Sequence, residues 1–370
     1  MGVVFTTEED RFVANALEMD IAAEQGIEKQ IAFDSDSEIV DYISAHVDTD
    51  SPYTCVLKTR TAFNIRNLPQ AYYQNIVNLK RINDISDINH FFETVNEKLS
   101  TGGRFICCAE TYSLRKQRIL DKFHTTYARL YYSCDFVFKR ICPKLSFTRS
   151  LYFKMTAGRN QVISNTETLG RLYKNGFKIV DQRIIGYKKY YVVEKVKEPT
   201  FDKNASYGPI FKMKRIGKNG KPILVYKLRT MYAYSEYLQE YIYQMNNLDK
   251  GGKFKEDFRV SAAGKVLRKF WLDELPMVWN LLKGEMKLVG VRPLSSHYLS
   301  LYSPELQEER LKFKPGLIPP FYVDMPETLE EIQQSELRYL RAYQKNPILT
   351  DIKYFWKAIY NIVARQARSK

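Results

Sequence analysis

Two adjacent carboxylates, Asp273 and Glu274, lie in a part of the chain that is rich in basic residues. Arg268, Lys269 and Arg292 flank them in the sequence. A carboxylate can act as a nucleophile or a metal ligand, and guanidinium groups hold phosphate oxygens. This set of side chains therefore has the charge balance that phosphoryl transfer needs.

The surrounding pattern predicts a helix that begins near the carboxylates. Four apolar residues at helical spacing give it one apolar stripe: Trp271, Leu275, Val278 and Leu282. Pro276 stands where a first-turn proline is tolerated. The carboxylates would then lie at a helix N-terminus, where amide donors and the helix dipole favour phosphate. Ordinary capping acids occur in the same place, and the helix pattern alone leaves that alternative open.

A cationic hairpin is predicted upstream of this helix. The stretch 212–229 has no acid, and its turn is formed around Gly217, Asn219, Gly220 and Pro222. It contains seven basic residues: Lys212, Lys214, Arg215, Lys218, Lys221, Lys227 and Arg229. Lys227 and Arg229 share a strand face at a spacing of two, so we expect them to contact phosphate. For Lys218 and Lys221, at the tip, a solvated turn is the simpler interpretation.

These motifs resemble a known enzyme family. "GPIFKMKRIGKNGKPILVYKLRTM", "FRVSAAGKVLRKFWLDELPMVWNLLKGEMKLVGVRPL" and "FKPGL" stand in the order found in the bacterial sugar transferases of exopolysaccharide initiation. Those proteins are monotopic polyprenyl-phosphate phosphoglycosyl transferases. The resemblance extends over about 150 residues from Tyr207 onward.

The resemblance implies a role for each residue of the motif. It implies that Asp273 is the nucleophile, that Glu274 assists it in binding Mg²⁺, and that Arg268 and Arg292 bind the diphosphate. It also implies a UDP-sugar and a polyprenyl (undecaprenyl) phosphate as substrates, with a covalent phosphosugar–aspartate intermediate. The alternative is a catalytically silent membrane-surface scaffold in polysaccharide assembly.

The sequence departs from the family pattern in three places. The "D-P-R" motif reads Asp257-Phe258-Arg259, and these two charged residues are expected either to bind substrate or to pair structurally. The "G-P-R-P" motif has valine at its second position, Val291, and keeps Arg292. A polar linker stands where the family has a hydrophobic re-entrant helix.

The first half of the chain has a different character. A helix is predicted at 6–30, strands at 53–57, 75–79 and 105–109, a helix at 88–99, a turn at Gly102-Gly103 and a closing hairpin at 176–193. The stretch from Ile76 to Glu110 resembles the later half of a class I methyltransferase domain. Such domains hold their cofactor with an early glycine-rich loop, and only Gly2 and Gly26 precede Gly102. A domain without cofactor is therefore expected.

These patterns predict two domains and a linker. Residues 1–195 form an α/β Rossmann-like, methyltransferase-like domain, 196–206 a linker, and 207–370 an α+β sugar transferase domain. Amphipathic membrane-surface helices are expected within 115–159 and 350–366. The first of these segments holds eleven basic side chains and two acids, interleaved with aromatic residues, and Pro143 should break its helix. A packed aromatic core under a solvated basic face, or a nucleic-acid platform, would give a similar pattern.

Composition limits the partners and the location. The net charge is +15, although residues 1–50 hold 2 basic and 13 acidic side chains. The expected partners are a nucleotide-sugar, polyprenyl phosphate and an anionic membrane surface, with a homodimer left open. Nucleic acid is not expected, because the acidic pair would repel phosphate unless a metal were bound. Five cysteines without a C-x-x-C pair, no signal peptide and no apolar run of spanning length indicate a peripheral or monotopic protein on the cytoplasmic face of the bacterial inner membrane.

Overall fold

The computed structural model describes residues 37–201, 207–245, 248–249, 253–254 and 257–364. The helix predicted at 6–30 lies outside these ranges. The chain divides into two compact units, Met1–Ala205 with Ala233–Gln239, and Ser206–Tyr232 with Glu240–Lys370. No motif in the sequence indicates that 233–239 belongs to the first unit.

The first unit is built on a mixed sheet of five strands among its described residues. The strands are β1 Thr54–Leu57, β2 Tyr73–Arg81, β3 Leu99–Ala109, β4 Phe177–Ile185 and β5 Lys188–Lys195. Their order is β1-β2-β3-β5-β4, with β1, β2 and β3 parallel and β5 antiparallel to both neighbours. The predicted closing hairpin is therefore confirmed, and the unit has a mixed α/β fold with parallel strands. The resemblance to methyltransferases stays a prediction.

Helices cover both faces of this sheet. The helices are α1 Ser37–Ser44, α2 Phe63–Arg66, α3 Ile88–Lys98, α4 Tyr112–Lys122, α5 Thr125–Phe136, α6 Ser146–Thr156 and α7 Asn165–Lys174. Ile106 and Cys108 of β3 pack with Ile43 of α1. The ring of Phe105 packs against Phe92 of α3 on the other face. Because successive residues of a strand point to opposite faces, the part of β3 from Phe105 to Ala109 is buried continuously.

Two local predictions in this unit have different outcomes. The helical segment does break at Pro143, where a π-helical stretch, Val137–Ile141, and a 3₁₀ turn, Cys142–Lys144, separate α5 from α6. The turn predicted at Gly102-Gly103 is wrong, because β3 runs through both residues. Gly102 has a φ of +81° inside the strand, and the pairing of β2 with β3 shifts between Tyr73 and Asn75. The glycine therefore permits a bulge.

The segment 233–239 packs into the first unit through Tyr234. Its hydroxyl accepts a 2.8 Å hydrogen bond from Asn89, and the Arg171 guanidinium lies 4.2 Å from its ring centroid. A Cβ added to Gly170 would lie 2.3 Å from the Tyr234 carbonyl oxygen. Only glycine at position 170 therefore admits this close backbone approach.

The second unit combines short sheets with helices. Its strands are β6 Ile210–Ile216, β7 Pro222–Leu228, β8 Leu248–Asp249, β9 Lys253–Phe254, β10 Lys287–Val289 and β11 Gly316–Ile318. Its helices are α8 Gln239–Met245, α9 Ala262–Lys269, α10 Val278–Leu282, α11 Ser296–Leu299, α12 Pro304–Leu311, α13 Phe321–Asp324, α14 Leu329–Lys345 and α15 Pro347–Ala364. β6 and β7 form the predicted antiparallel hairpin. Among the described residues, no helix has the length and apolar character needed to cross a membrane.

The "FKPGL" motif forms part of the core of this unit. Gly316 begins β11, which pairs with β10 in parallel. A Cβ on Gly316 would lie 2.1 Å from the Gly290 nitrogen, so both chain segments approach through glycine. The predicted role of this motif in backbone geometry is therefore explained by the close contact between the backbones of Gly316 and Gly290.

Replacing Gly316 by alanine is expected to destabilise the chain by about 1 to 3 kcal/mol, because the added methyl group forces the two strands apart. Thermal unfolding of the full chain measures the effect. Gly208→Ala is the matched control, since nothing lies within 4 Å of a Cβ at that position. Equal midpoints for the two variants would contradict the prediction.

Candidate functional site

The cationic hairpin forms one wall of the site. Its turn contains two residues with left-handed backbone, Asn219 at a φ of +57° and Gly220 at +72°, as an Asn-Gly turn requires. Lys227 lies opposite Phe211 in the hairpin register. The strand ends at Leu228, so Arg229 lies beyond it.

The carboxylates lie on a 3₁₀ turn, Leu272–Met277, that continues into α10. Trp271 precedes this turn with a φ of +58°. The predicted helix therefore exists, although its first turn is 3₁₀ and it begins from a left-handed residue. Asp273 and Glu274 occupy that first turn, as the sequence predicts.

Two buried residues hold this helical segment against β7. Met277 packs with Val225, and the Asn280 amide donates to the Leu224 carbonyl over 2.7 Å. The side-chain oxygen Oδ1 of Asn280 accepts a hydrogen bond from the backbone amide of Tyr226. These contacts fix the turn that carries the carboxylates.

An ion pair joins the hairpin to the acidic turn. The Lys227 ammonium donates to Oε1 of Glu274 over 2.5 Å, and both side chains are mostly buried. The predicted phosphate ligand Lys227 is thus already placed beside the carboxylates. A phosphate bound there would lie beside the Lys227 ammonium, whose position is fixed by its ion pair with Glu274.

Asp273 has a raised pKa. Burial raises its pKa above the ordinary value, and the negative charge of Glu274 raises it further. The positive charges of Lys227 and Arg268 oppose this shift. Perturbed carboxylates concentrate at functional sites, although structural ion-pair networks perturb them too.

Arg268 reaches the site from the last turn of α9. Its Nε donates to Thr230 Oγ1 over 3.0 Å. Ser261 caps this helix, and its backbone amide also donates to the Thr230 carbonyl. A Cβ on Gly264 would lie 1.9 Å from the same carbonyl oxygen, so α9 packs directly on Thr230. Thr230 therefore sets the position of Arg268.

Asp257 and Arg259 form an ion pair with each other. The Arg259 guanidinium contacts both oxygens of Asp257, with distances of 2.7 to 3.1 Å. Burial alone would raise the pKa of Asp257, but hydrogen bonds from Arg259 outweigh it and hold that pKa below its usual range. The structural pairing considered for these residues is present, and a substrate role stays a prediction.

Arg292 lies in a different cluster from Lys227. Its guanidinium lies 5.9 Å from the ring centroid of Phe321, which packs at a tilt against Tyr322 with the ring centroids 4.3 Å apart. Tyr322 in turn packs at a tilt against Trp271, two residues before Asp273, with the ring centroids 4.3 Å apart. Aromatic rings therefore connect the loop of Arg292 to the turn that bears the carboxylates.

Arg229 has other contacts. Its Nε donates to the Gly208 carbonyl over 3.0 Å, and its guanidinium lies 5.1 Å from the ring centroid of Phe211. Its predicted contact with phosphate stays a prediction.

Apolar side chains surround the acidic turn and face outward. Leu275, Val278 and Leu282 of the predicted stripe are exposed, as are Phe270 and Trp279. The stripe is therefore not the face that packs on β7; Met277 and Asn280 form that face.

Sequence reasoning missed Thr230 and Asn280. Thr230 follows Arg229 in the "KLRTM" motif. Its hydroxyl group, which can both donate and accept a hydrogen bond, was the available signal. Asn280 is a single polar residue inside the apolar run "VWNLL", a pattern that indicates a buried hydrogen-bonding role.

The donor set is suited to Mg²⁺ completed by a substrate. Among the described residues, no group of three or more His, Cys, Asp or Glu side chains could hold a metal. Mg²⁺ commonly binds one or two carboxylates together with phosphate oxygens and waters. Asp273 and Glu274 fit that mode of binding.

Comparison with known proteins finds similarity to the same family in this part of the chain. Residues 201–365 match the family model described as bacterial sugar transferase. The galactosyl transferase CpsE of Streptococcus agalactiae is 34% identical over 152 residues, 40% of this chain and 33% of that protein. The undecaprenyl-phosphate galactose phosphotransferase of Salmonella typhimurium is 37% identical over 116 residues, 30% of this chain and 24% of that protein.

A third relative comes from Klebsiella pneumoniae. Its UDP-glucose:undecaprenyl-phosphate glucose-1-phosphate transferase is 34% identical over 169 residues, 43% of this chain and 33% of that protein. The chain thus spans less than half the length of each of these curated relatives. The similarity belongs to one segment, residues 201–365, which matches the model of the bacterial sugar transferase family.

Proposed function

We propose that the second unit transfers a sugar-1-phosphate from a UDP-sugar to a polyprenyl phosphate, the first step of exopolysaccharide, capsule or glycan synthesis. The observation that carries the proposal is the Asp273–Glu274 pair. It lies beside the Lys227 ammonium, in a segment that matches the sugar transferase family. The names of the relatives from Salmonella and Klebsiella support the lipid acceptor.

The first step forms a bond to Asp273. A carboxylate oxygen of Asp273 attacks the phosphorus that carries the sugar. The bond between that phosphorus and the oxygen bridging to the second phosphorus breaks, and UMP leaves with the electron pair. The product is a phosphosugar ester of the aspartate.

The second step returns the enzyme to its starting state. An oxygen of the polyprenyl phosphate attacks the same phosphorus, and the bond to the Asp273 oxygen breaks. The lipid carries away a sugar diphosphate. Because the nucleotide leaves before the lipid reacts, ping-pong kinetics are expected.

The cations beside the carboxylates have a defined task in both steps. Lys227 and Arg268 would stabilise negative charge on the oxygens of the phosphate group that is transferred. Thr230 fixes the orientation of the Arg268 guanidinium. Asp273 and Glu274 would hold Mg²⁺. The bound ion supplies positive charge against phosphate oxygens.

The exposed apolar residues around the acidic turn suit a lipid acceptor. Phe270, Leu275 and Trp279 lie within six residues of Asp273 and are exposed. A polyprenyl chain in a bilayer would meet this surface as its phosphate reaches the carboxylates. The proposed location is therefore peripheral or monotopic, on the cytoplasmic face of a bacterial inner membrane.

Release of UMP tests the proposal. The full chain is mixed with a panel of UDP-sugars and Mg²⁺, with and without polyprenyl phosphate in detergent. Turnover that depends on the lipid supports the transferase. If no UDP-sugar gives release even with membranes supplied, the silent scaffold replaces it.

The acid limb of the pH profile of kcat/KM should shift when charged residues next to Asp273 are replaced. The attacking group is the carboxylate, so kcat/KM is expected to rise as the pH increases through the pKa of Asp273. Glu274→Gln removes a charge that raises this pKa, which should move the limb to lower pH. Lys227→Met removes a charge that lowers it and should move the limb to higher pH. Both profiles come from initial rates of UMP release, and shifts in the same direction would contradict the assignment.

A further inference from the structure

A stripe of large apolar side chains faces solvent along α6 of the first unit. Phe147, Leu151 and Met155 are spaced four residues apart and are 82%, 60% and 66% exposed. A different side of the helix packs through Tyr152, which is 1% exposed. The stripe is therefore additional to the face that holds the helix in the unit.

A second stripe of exposed apolar side chains lies on α5. Tyr127, Leu130 and Tyr131 occupy neighbouring turns and are exposed, and Val137 and Ile141 extend the pattern into the π-helical stretch. Exposed apolar groups clustered in this way are typical of a surface that meets a partner or a membrane.

Two acids of this region, Asp135 and Glu110, are turned inward. Asp135 accepts hydrogen bonds from Arg115 at 2.6 Å and from Lys139 at 2.7 Å. Glu110 is paired with Arg118 at 2.5 Å and also with Arg115. Burial alone would raise the pKa of Asp135, but its bonds to Arg115 and Lys139 hold that pKa below the usual range. These negative charges are therefore neutralised inside the unit.

The outward charge is consequently positive. Within residues 115–159, one acid is exposed, Asp121, and six basic residues are exposed: Lys116, Lys122, Arg129, Arg149, Lys154 and Arg159. Each lysine or arginine near an anionic bilayer contributes about fivefold to binding. Apolar side chains and positive charge on one set of helices are what an interfacial membrane site requires.

The aliphatic side chains favour lipid over nucleic acid. A single-strand platform stacks bases on aromatic rings. Here Leu130, Leu151 and Met155 share the surface, and they cannot stack with a base but can enter the acyl boundary of a bilayer. The inward ion pairs hold the helices in place before any lipid is bound, which lowers the ordering cost of binding.

We propose that α5 and α6, with the turns between them, form a docking surface for an anionic lipid bilayer. This surface binds the phosphate headgroups of the membrane through its basic residues. It belongs to the first unit and operates whether or not the second unit transfers sugar phosphate.

Cys134 provides a reporter on this surface. It is exposed and lies three, four and seven residues after Tyr131, Leu130 and Tyr127, on the same side of α5. The full chain, with Cys55 and Cys142 replaced by serine, is labelled at Cys134 with an environment-sensitive fluorophore. A blue shift with mixed phosphatidylcholine–phosphatidylglycerol vesicles, and none with phosphatidylcholine alone, is expected. An unchanged spectrum with both vesicles overturns the proposal.

Vesicle sedimentation of the unlabelled chain tests the residues themselves. Phe147→Ser with Leu151→Ser, and separately Arg149→Glu with Lys154→Glu, should each lower the partition coefficient on the mixed vesicles by at least about tenfold. Phe63→Ser and Lys178→Glu are matched controls, because both residues are exposed in the first unit outside α5 and α6.

Two further results would overturn the proposal. Unchanged partition of both double variants would assign lipid contact to the second unit. Binding of a single-stranded oligonucleotide that the charge variant loses, without any vesicle binding by the wild type, would assign the surface to nucleic acid. Absence of UMP release with normal vesicle binding would overturn the transferase alone.

Discussion

Asp273→Asn is expected to lower the rate of lipid-dependent UMP release by at least about 10⁴-fold. The amide has nearly the same shape as the carboxylate, but it cannot form the phosphosugar ester by nucleophilic attack. The turn that carries it is held by Met277 and Asn280, so the fold should survive the change. Release of UMP from a UDP-sugar is the measurement, with a single turnover in the absence of lipid as a direct view of the first step.

Asp324→Asn is the matched control for this substitution. Asp324 lies in the same unit and is paired with the exposed Arg338 over 2.9 Å. Exposed pairs of this kind contribute little to stability, so activity should be nearly unchanged. If the Asp273 variant keeps its release rate within about tenfold of wild type, another group attacks the phosphorus.

The sequence predicted the elements of the site better than their surfaces. The hairpin could be predicted because Asn219 and Gly220 favour a tight turn between alternating strands. The helix after Asp273 could be predicted from the spacing of Leu275, Val278 and Leu282. Periodicity shows which residues share a helix face, but it cannot show what covers that face. The outward position of the stripe therefore depends on tertiary contacts of Met277 and Asn280.

For charged residues too, spacing in the sequence does not show which groups they contact. Lys227 and Arg229 are equivalent by strand spacing, yet Lys227 contacts Glu274 whereas Arg229 donates to the Gly208 carbonyl. The strand ends between them, and a boundary of one residue cannot be placed from composition. The raised pKa of Asp273 likewise depends on its burial, which is a property of the folded chain.

Backbone exceptions were the least predictable features. Gly102 has the residue type of a turn, but its positive φ forms a bulge inside β3. Trp271 has a left-handed φ of +58°, which its own type disfavours. Its ring contact with Tyr322 comes from a segment about fifty residues away in sequence, so local reasoning could not identify it.

Breaking the buried ion pair between Arg310 and Glu336 is expected to have the largest effect on stability. The two side chains are 6% and 1% exposed and contact each other directly. Glu336→Gln leaves the Arg310 charge buried without its carboxylate, which costs about 3 to 5 kcal/mol. For a unit of this size, the unfolding midpoint should fall by about 6 to 20 °C in a thermal scan of the full chain. Arg310 also donates to the Arg292 carbonyl over 2.5 Å, so the loop of Arg292 should lose its fixed position as well.

Two further variants distinguish the loss of this pair from a general effect of charge. Glu305→Gln breaks an exposed pair with Arg341, whose side chains are 67% and 64% exposed, and should leave the midpoint nearly unchanged. Arg310→Met combined with Glu336→Leu removes both buried charges and should recover much of the lost stability, because no uncompensated charge remains. If Glu336→Gln and Glu305→Gln unfold at the same temperature, the pair does not stabilise the unit.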